Sequence, residues 1–408
     1  MPSVALIADS DSRWKWGAAT VAALGAAAPA RSFLISSLGA PTARQVAEAG
    51  VDVATVQPLE LPRLAAELDR GGFDAVVLAL PGDTCQVALQ LMARHTFGAV
   101  RPVVVAGWVG VILRGAIAGL AERVGADMIL ANSPHDADWF RGVLTALGRD
   151  PACLVETRLP FLAPREPRPA DLPFTVVFAA QPGIPAGRED RLYLVRRLVA
   201  HARSHPDREV ILKVRGLPGE RLTHVEPHPY HRLARDAGAD QTPNFKVVAG
   251  PMREMLARAD LLLTVSSTAA VEAIHAGIPT GILADFGLVE NTGVAFYIDS
   301  GCVVSMDQID AGASPAARPE WRVAQGLAPD APPPPPSLAD RLAALVAADR
   351  GPIEPLYNES FAPAYLRGLA RRSRAPGAGR RVLRRAARVA YRAGVDRVAP
   401  ALRSLTGW

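Results

Sequence analysis

Three small hydroxyl-bearing residues, Ser266-Ser267-Thr268, stand where an apolar run ends and an alanine-rich helical pattern begins. Leu261, Leu262, Leu263 and Val265 fit a buried parallel strand; the helix that follows is ended by Gly277 and Pro279, and Thr280 to Leu283 starts a further strand. Such a turn brings hydroxyls and backbone N–H groups to the positive end of a helix, which makes a seat for a phosphate. The same spacing also fits a plain helix cap by Ser266 or Ser267.

A second concentration of chemistry follows the first apolar run, in Asp9-Ser10-Asp11-Ser12-Arg13-Trp14-Lys15-Trp16. The loop after a strand of an open α/β sheet lies at the carboxyl edge, where ligands bind. There Asp9 or Asp11 could take a proton from a hydroxyl, Lys15 could neutralise an acidic substrate, and a tryptophan could stack on a ligand. Alternatively Asp11 or Ser12 caps a helix and both tryptophans pack at the domain edge. In the second half, Lys213-Val214-Arg215-Gly216 follows a strand run ending at Leu212, so two cations leave a sheet edge. They can meet a diphosphate or a carboxylate, Arg215 as a bidentate fork and Lys213 as a point charge. Gln181-Pro182-Gly183 either offers backbone N–H groups to a ligand or is a simple turn. His228 either meets a phosphate or protonates a leaving group, or else is a surface residue.

The run Ser266-Ser267-Thr268, Glu272-Ala273 and Gly277-Ile278-Pro279 resembles the nucleotide-sugar half of GT-B glycosyltransferases. The nearest likeness is to the bacterial capsule-type Kdo transferases and polysialyltransferases; it is specific over about thirty residues and architectural elsewhere. It implies an α/β chain of two Rossmann-like domains facing each other across a cleft. The donor would lie on the second domain, with Gln181, Lys213, Arg215, His228, Ser266, Ser267, Thr268 and Glu272 as its contacts. Glu272 would hold the ribose, and Phe286 to Asn291 would close over the base. The acceptor would enter from the first domain, where Asp9, Asp11 and Lys15 form the catalytic set, one aspartate deprotonates the acceptor hydroxyl and a tryptophan stacks on a sugar face. The resemblance implies no cofactor and no metal, the nucleotide-sugar being a substrate.

Two departures bear on mechanism and donor. Retaining members often carry a glutamate eight positions before the one matching Glu272; Thr264 stands there, which favours an inverting enzyme. Kdo and sialic acid transferases often show Lys-x-His-Pro where this chain has Lys213-Val214-Arg215-Gly216, with His228-Pro229 farther along, which weakens the case for a CMP-activated acid sugar. The Asp-x-Asp pattern at Asp9 and Asp11 also fits a GT-A metal site or the nucleophile pair of a haloacid-dehalogenase-type phosphatase. The phosphatase reading leaves the second Rossmann unit and its serine motif without a role. Further alternatives are a GT-B-fold epimerase, a glycerophosphotransferase and a non-catalytic nucleotide-sugar-binding protein of an envelope complex.

The elements that must position these residues alternate. Strands are expected at Val4 to Ala8, Ser32 to Ser36, Val51 to Val56, Ala75 to Ala79, Val103 to Ala106 and Met128 to Ala131, with helices at Gly17 to Ala28, Ala43 to Ala49, Leu61 to Asp69, Thr84 to Arg94, Gly115 to Val124 and Asp136 to Leu147. This rhythm implies a parallel, doubly wound sheet. After the proline-rich segment Pro160 to Pro173 it restarts with strands at Phe174 to Ala179, Val210 to Val214 and Phe245 to Ala249 and helices at Asp190 to His201 and Met252 to Arg258. The expected domains are 1–165 and 166–310, then an exposed Pro/Ala-rich linker over 311–337, returning helices within 338–370 and a tail over 371–408.

Composition fits two sizeable cores: 408 residues, 49% of them apolar. Three dispersed cysteines, Cys85, Cys153 and Cys302, supply neither a disulfide framework nor a zinc spacing and fit a reducing cytoplasm. From Arg367 onward twelve arginines face one acid, Asp396, a charge of +11, so residues 1–366 carry −6 of the whole-chain +5. Basicity therefore belongs to the tail and says nothing in favour of nucleic-acid binding by the body; no nucleic acid is expected as a partner. Arg380 to Leu405 sets Val382, Leu383, Ala386, Val389, Ala390 and Ala393 among arginines at near-helical spacing, as in a helix lying on anionic lipid. A solvated, disordered tail is the competing reading. The expected place is the cytoplasm, peripheral at the inner face of the cell membrane, with a glycan or lipid-linked acceptor as partner.

Overall fold

The computed structural model describes residues 1–35, 55–113, 117–160, 162–181, 183–216, 228–288, 293–329, 336–360 and 362–373. They form two compact units, one of residues 1–162 with 322–373 and the other of residues 163–321.

The first unit holds β1 (Val4–Ala8), α1 (Asp11–Ala23), β2 (Arg31–Ile35), β3 (Val56–Leu59), α2 (Leu64–Gly71), β4 (Ala75–Ala79), α3 (Gly82–Ala93), β5 (Val103–Ala106), α4 (Ile117–Ala121), β6 (Met128–Ala131), α5 (Pro134–Ala146) and β7 (Leu154–Glu156). All seven strands are parallel, in the order β3-β2-β1-β4-β5-β6-β7. Every residue of β1, β4, β5 and β6 is buried, which explains their unbroken apolar sequences. Alternation divides them between two cores: Ala5, Ile7, Val76 and Leu78 face one side, and Val4, Leu6, Val77 and Ala79 face the other.

The second unit holds β8 (Phe174–Ala179), α6 (Arg188–Ser204), β9 (Arg208–Val214), α7 (Tyr230–Asp236), β10 (Phe245–Ala249), α8 (Met252–Arg258), β11 (Leu261–Thr264), α9 (Ala269–His275), β12 (Thr280–Leu283), β13 (Val303–Val304), α10 (Met306–Asp310) and α11 (Pro319–Ala324). Its parallel sheet runs β10-β9-β8-β11-β12-β13. Val177, Ala179, Ile211 and Leu262 face α8 and α9, packing on Met255, Leu256, Ala269 and Ala273. Later in the chain α12 (Leu338–Ala347) sends Leu342 into the core of the first unit that contains Val103 and Val155. Ahead of α13 (Pro363–Ser373), the Tyr357 carbonyl accepts from the Gln86 and Gln90 side chains of α3.

Several expectations shift. Helix α1 starts at Asp11, six residues before Gly17, so Trp14, Lys15 and Trp16 are helical. The strand expected at Val51 to Val56 runs instead from Val56 to Leu59, residues 51–54 lying outside the described ones. It contains Pro58, which an edge strand tolerates because one side of its backbone needs no ladder partner. The short edge strands β7 and β13, of three and two residues, carry too few alternations to be read from sequence. The linker expected over 311–337 is exposed at many of its described residues but anchored at a few points: Trp321 is buried against Phe296 and Tyr297, and Leu327 is buried as well. Burying a large aromatic surface outweighs the local bias of the surrounding prolines and alanines.

Candidate functional site

In the second sheet the chain winds outward in both directions from the boundary between β8 and β11. Such a reversal opens a crevice at the carboxyl ends of the strands. Gln181 follows β8 and Ser266 follows β11. The Ser266 N–H donates to Gln181 Oε1 at 2.9 Å, and Gln181 Nε2 donates to Ser266 Oγ at 3.3 Å. Thr264, fully buried at the end of β11, donates from Oγ1 to the Ala179 carbonyl at 2.8 Å and accepts the Ser267 N–H at 3.2 Å. Ser267 Oγ in turn accepts the Ala269 N–H at 3.2 Å.

These bonds revise the simple phosphate seat. The backbone donors of Ser266, Ser267 and Ala269 are engaged by Gln181, Thr264 and Ser267 side chains. Helix α9 has seven residues, and Thr268 at its N-cap position is already helical, φ −58 and ψ −19, with no side-chain cap bond. Ser266 is buried, Ser267 is half-buried and Thr268 is exposed, so the groups presented outward are chiefly the Ser267 and Thr268 hydroxyls. Gly293 returns the chain against Ser266: a Cβ there would meet Ser266 Oγ at 3.1 Å, and its φ of +78 also favours glycine.

Lys213 does not leave the sheet edge after a strand ending at Leu212; it lies inside β9, as the expected strand Val210 to Val214 has it, in register with Ala179 and Val248. Its carbonyl accepts the Ala180 N–H at 2.9 Å. By alternation it shares the sheet face of Ile211, which lies in the core that the sheet forms with α8 and α9. Arg215 follows the strand end, and Glu272 lies in the first turn of α9, both half-buried. Pro182 and residues 289–292 of the two expected ligand loops lie outside the described residues. Phe286 packs edge-on against Tyr193, and the Tyr193 hydroxyl donates to Asp285 at 2.9 Å.

Arg191, on the first turn of α6, went unnoticed in the sequence because one arginine in an amphipathic helix reads as surface. It is fully buried. Its Nε donates to the Pro185 carbonyl at 2.7 Å and its terminal nitrogens to His228 O at 2.8 Å and Gln181 O at 3.2 Å. The guanidinium carbon lies 4.6 Å from the centroid of the Tyr230 ring. A buried cation is tolerable only when its donors are satisfied in this way. His228 thus enters the site through its backbone, linked by Arg191 to Gln181.

Asp9, Asp11 and Lys15 belong to the first unit, at the equivalent reversal of strand order between β1 and β4. Asp9 is ion-paired with Arg13 at 2.9 Å, and Arg13 also donates to Ser10 Oγ at 3.3 Å. Asp11 opens α1 and Lys15 is exposed one turn on. Trp14 and Trp16 are buried, which removes the proposed stacking on a sugar: both pack into the core that holds Leu6 and Val105. The same edge carries residues the sequence did not mark. Buried Arg123 donates to the carbonyls of Gly107 at 2.9 Å, Gly119 at 2.7 Å and Leu80 at 3.3 Å. Glu122 accepts from the Tyr365 hydroxyl of α13. Asp136 is buried in the first turn of α5, and that burial pushes its carboxyl up to about 6 against the opposing effect of Ser133.

Residues 4–345 match the family described as "Putative glycosyltransferase (DUF6716)". No curated protein matches the sequence. Among solved structures the chain is similar to S. aureus MnaA in a co-structure with UDP, at 11% identity over 89% of this chain and 94% of that one, with a TM-score of 0.52. It is also similar to a UDP-N-acetylglucosamine 2-epimerase, at 12% identity over 85% of this chain and 95% of that one, with a TM-score of 0.51. At such identities the likeness shows the fold, the two Rossmann-like domains of the GT-B type.

Proposed function

We propose that this chain, which belongs to the DUF6716 family, moves a sugar from a nucleotide-sugar donor to a hydroxyl of an envelope or capsule glycan. One observation carries the reading: Gln181 and Ser266 are bonded across the reversal of strand order in the second sheet, where open α/β sheets hold their ligands. In this proposal the Ser267 and Thr268 hydroxyls, with Lys213 and Arg215, meet the donor phosphates, and Glu272 meets the ribose. His228 stands beside the leaving group. Asp9 or Asp11 takes the proton of the acceptor hydroxyl as its oxygen attacks the anomeric carbon and the nucleotide departs, and Lys15 steadies an acidic substrate. The transfer so written inverts the anomeric centre and uses no metal.

The test is a melting-temperature and calorimetric panel of UDP, GDP, TDP and CMP. UDP comes first because it is the nucleotide in the S. aureus co-structure, and CMP covers the acid-sugar donors of the Kdo and polysialic acid transferases. Binding of one nucleotide stabilises the fold by mass action. No stabilisation by any of the four removes the donor site. A second reading, epimerisation of a nucleotide-sugar, draws support from the epimerase among the similar structures. Incubation with UDP-N-acetylglucosamine alone separates the two: an epimerised, still UDP-linked sugar favours the epimerase, and nucleotide release that needs an acceptor favours transfer.

We place the enzyme at the cytoplasmic face of the membrane, held by the arginine-rich tail. Among the described residues no helix is long and apolar enough to cross a membrane, and residues 374–408 lie outside them.

A further inference from the structure

We infer that Arg191 is a positioning residue of the donor site, setting the Gln181 turn and the His228 backbone so that the serine turn is formed before a nucleotide arrives. The inference rests on the donor reading above and adds to it a residue that touches no substrate. Its guanidinium reaches three carbonyls, Pro185 and Gln181 after β8 and His228 ahead of α7. These belong to segments 37 positions apart at the greatest separation from Arg191, so no local turn preference can fix them together. The constraint then passes on: with its backbone held by Arg191, Gln181 directs its amide to the Ser266 N–H, 85 positions away. Tyr230 closes the remaining face of the guanidinium. Lysine cannot substitute, because an ammonium lacks the planar fork that reaches three acceptors at once.

Asn244 supplies the matched control. Its Nδ2 also donates to three carbonyls, Ala202 at 2.7 Å, Arg208 at 2.9 Å and His205 at 3.0 Å, but just ahead of β10, at the amino edge of the same sheet. Removing either side chain should loosen the second unit; only Arg191 bears on the carboxyl edge.

The experiment measures UDP affinity by calorimetry, and melting temperature, for the full chain and for Arg191→Met, Arg191→Lys and Asn244→Ala. The expected result is a Kd raised at least tenfold in both Arg191 variants, and a Kd within twofold of wild type in Asn244→Ala at a comparable loss of melting temperature. Arg191 variants binding UDP within twofold of wild type overturn the inference, as does an equal loss of affinity in Asn244→Ala, since affinity would then simply follow stability. Should the Arg191 variants fail to fold, hydrogen exchange on the wild type with and without UDP decides. Joint protection of 183–187, 228–231 and 264–269 supports the coupling; protection confined to 264–269 overturns it. A wild type that binds none of the four nucleotides fails at the donor reading itself, and that result is read from the unaltered protein, before any variant.

Discussion

The Ser266 N–H donates to the Gln181 side chain at 2.9 Å, joining the ends of the two strands between which the second sheet reverses its order. The bond gives the serine turn a fixed partner, while Ser267 is half-buried, its Oγ accepting the Ala269 N–H, and Thr268 is exposed. It also makes the turn dependent on a residue from another strand-helix unit, so substitutions at Gln181 and at the serines should resemble one another in binding.

Ser267→Ala and Thr268→Ala each remove a hydroxyl that faces outward. A hydrogen bond to a charged group is worth roughly 1.5–3 kcal/mol, so each change should raise the nucleotide Kd about tenfold or more. Gln181→Leu should do the same and in addition lower stability by about 1–3 kcal/mol, because the Ser266 N–H loses its acceptor. Titration calorimetry and urea unfolding read the two effects separately. Unaltered affinity combined with reduced stability would mark the turn as scaffold alone.

Asp9→Asn and Asp11→Asn test the acceptor side. A base acts as the transition state forms, so loss of the correct one should reduce kcat by roughly 10²–10⁴-fold and leave nucleotide affinity unchanged. Asp9→Asn also releases Arg13 from its ion pair, and Arg13→Met distinguishes that effect from loss of the base. Full turnover in both aspartate variants would remove this loop from catalysis; rescue by added manganese would turn the account toward a metal.

Asp136 makes stability depend on pH. Its carboxyl titrates at about 6 in the fold, against 3.8 for an unperturbed aspartate, because burial disfavours the charge. Between those values the folded chain keeps a proton that the unfolded chain has released. The contribution is therefore complete below about pH 4 and is lost as pH rises through about 6, by up to about 3 kcal/mol at 1.36 kcal/mol per unit. Asp136→Asn should flatten this dependence and gain stability over wild type at pH 7.5 relative to pH 4.5. Parallel pH profiles for the two proteins, followed by urea unfolding, would refute it.

Removal of residues 374–408, which carry nine arginines and one acid, Asp396, and lie outside the described residues, should leave nucleotide binding intact and abolish sedimentation with anionic vesicles. Each arginine near such a surface contributes about 1 kcal/mol, a figure that falls with salt. Insolubility of the truncated chain would make the tail part of the fold, and indifference of the intact chain to vesicles at low salt would end the membrane assignment.

The alternation of strands and helices, the long apolar strands such as Val4–Ala8, Ala75–Ala79, Phe174–Ala179 and Leu261–Thr264, and the hydroxyl turn at Ser266 were legible in the sequence, whereas the edge strands β3, β7 and β13 were displaced or missed. Each is a local matter: an unbroken apolar run means a strand buried on both faces, and small polar residues between a strand and a helix mean a turn at the sheet edge. What the tertiary structure alone decided is which distant groups meet. Nothing near Arg191 announces that its partners are Gln181, Pro185 and His228, and nothing near Trp14 and Trp16 separates a sugar platform from a core. Gln181 was marked for its backbone, yet its side chain makes the decisive bond. Burial and partner choice arise when segments tens of residues apart are packed together, and periodicity, which reports only near neighbours, carries no record of them.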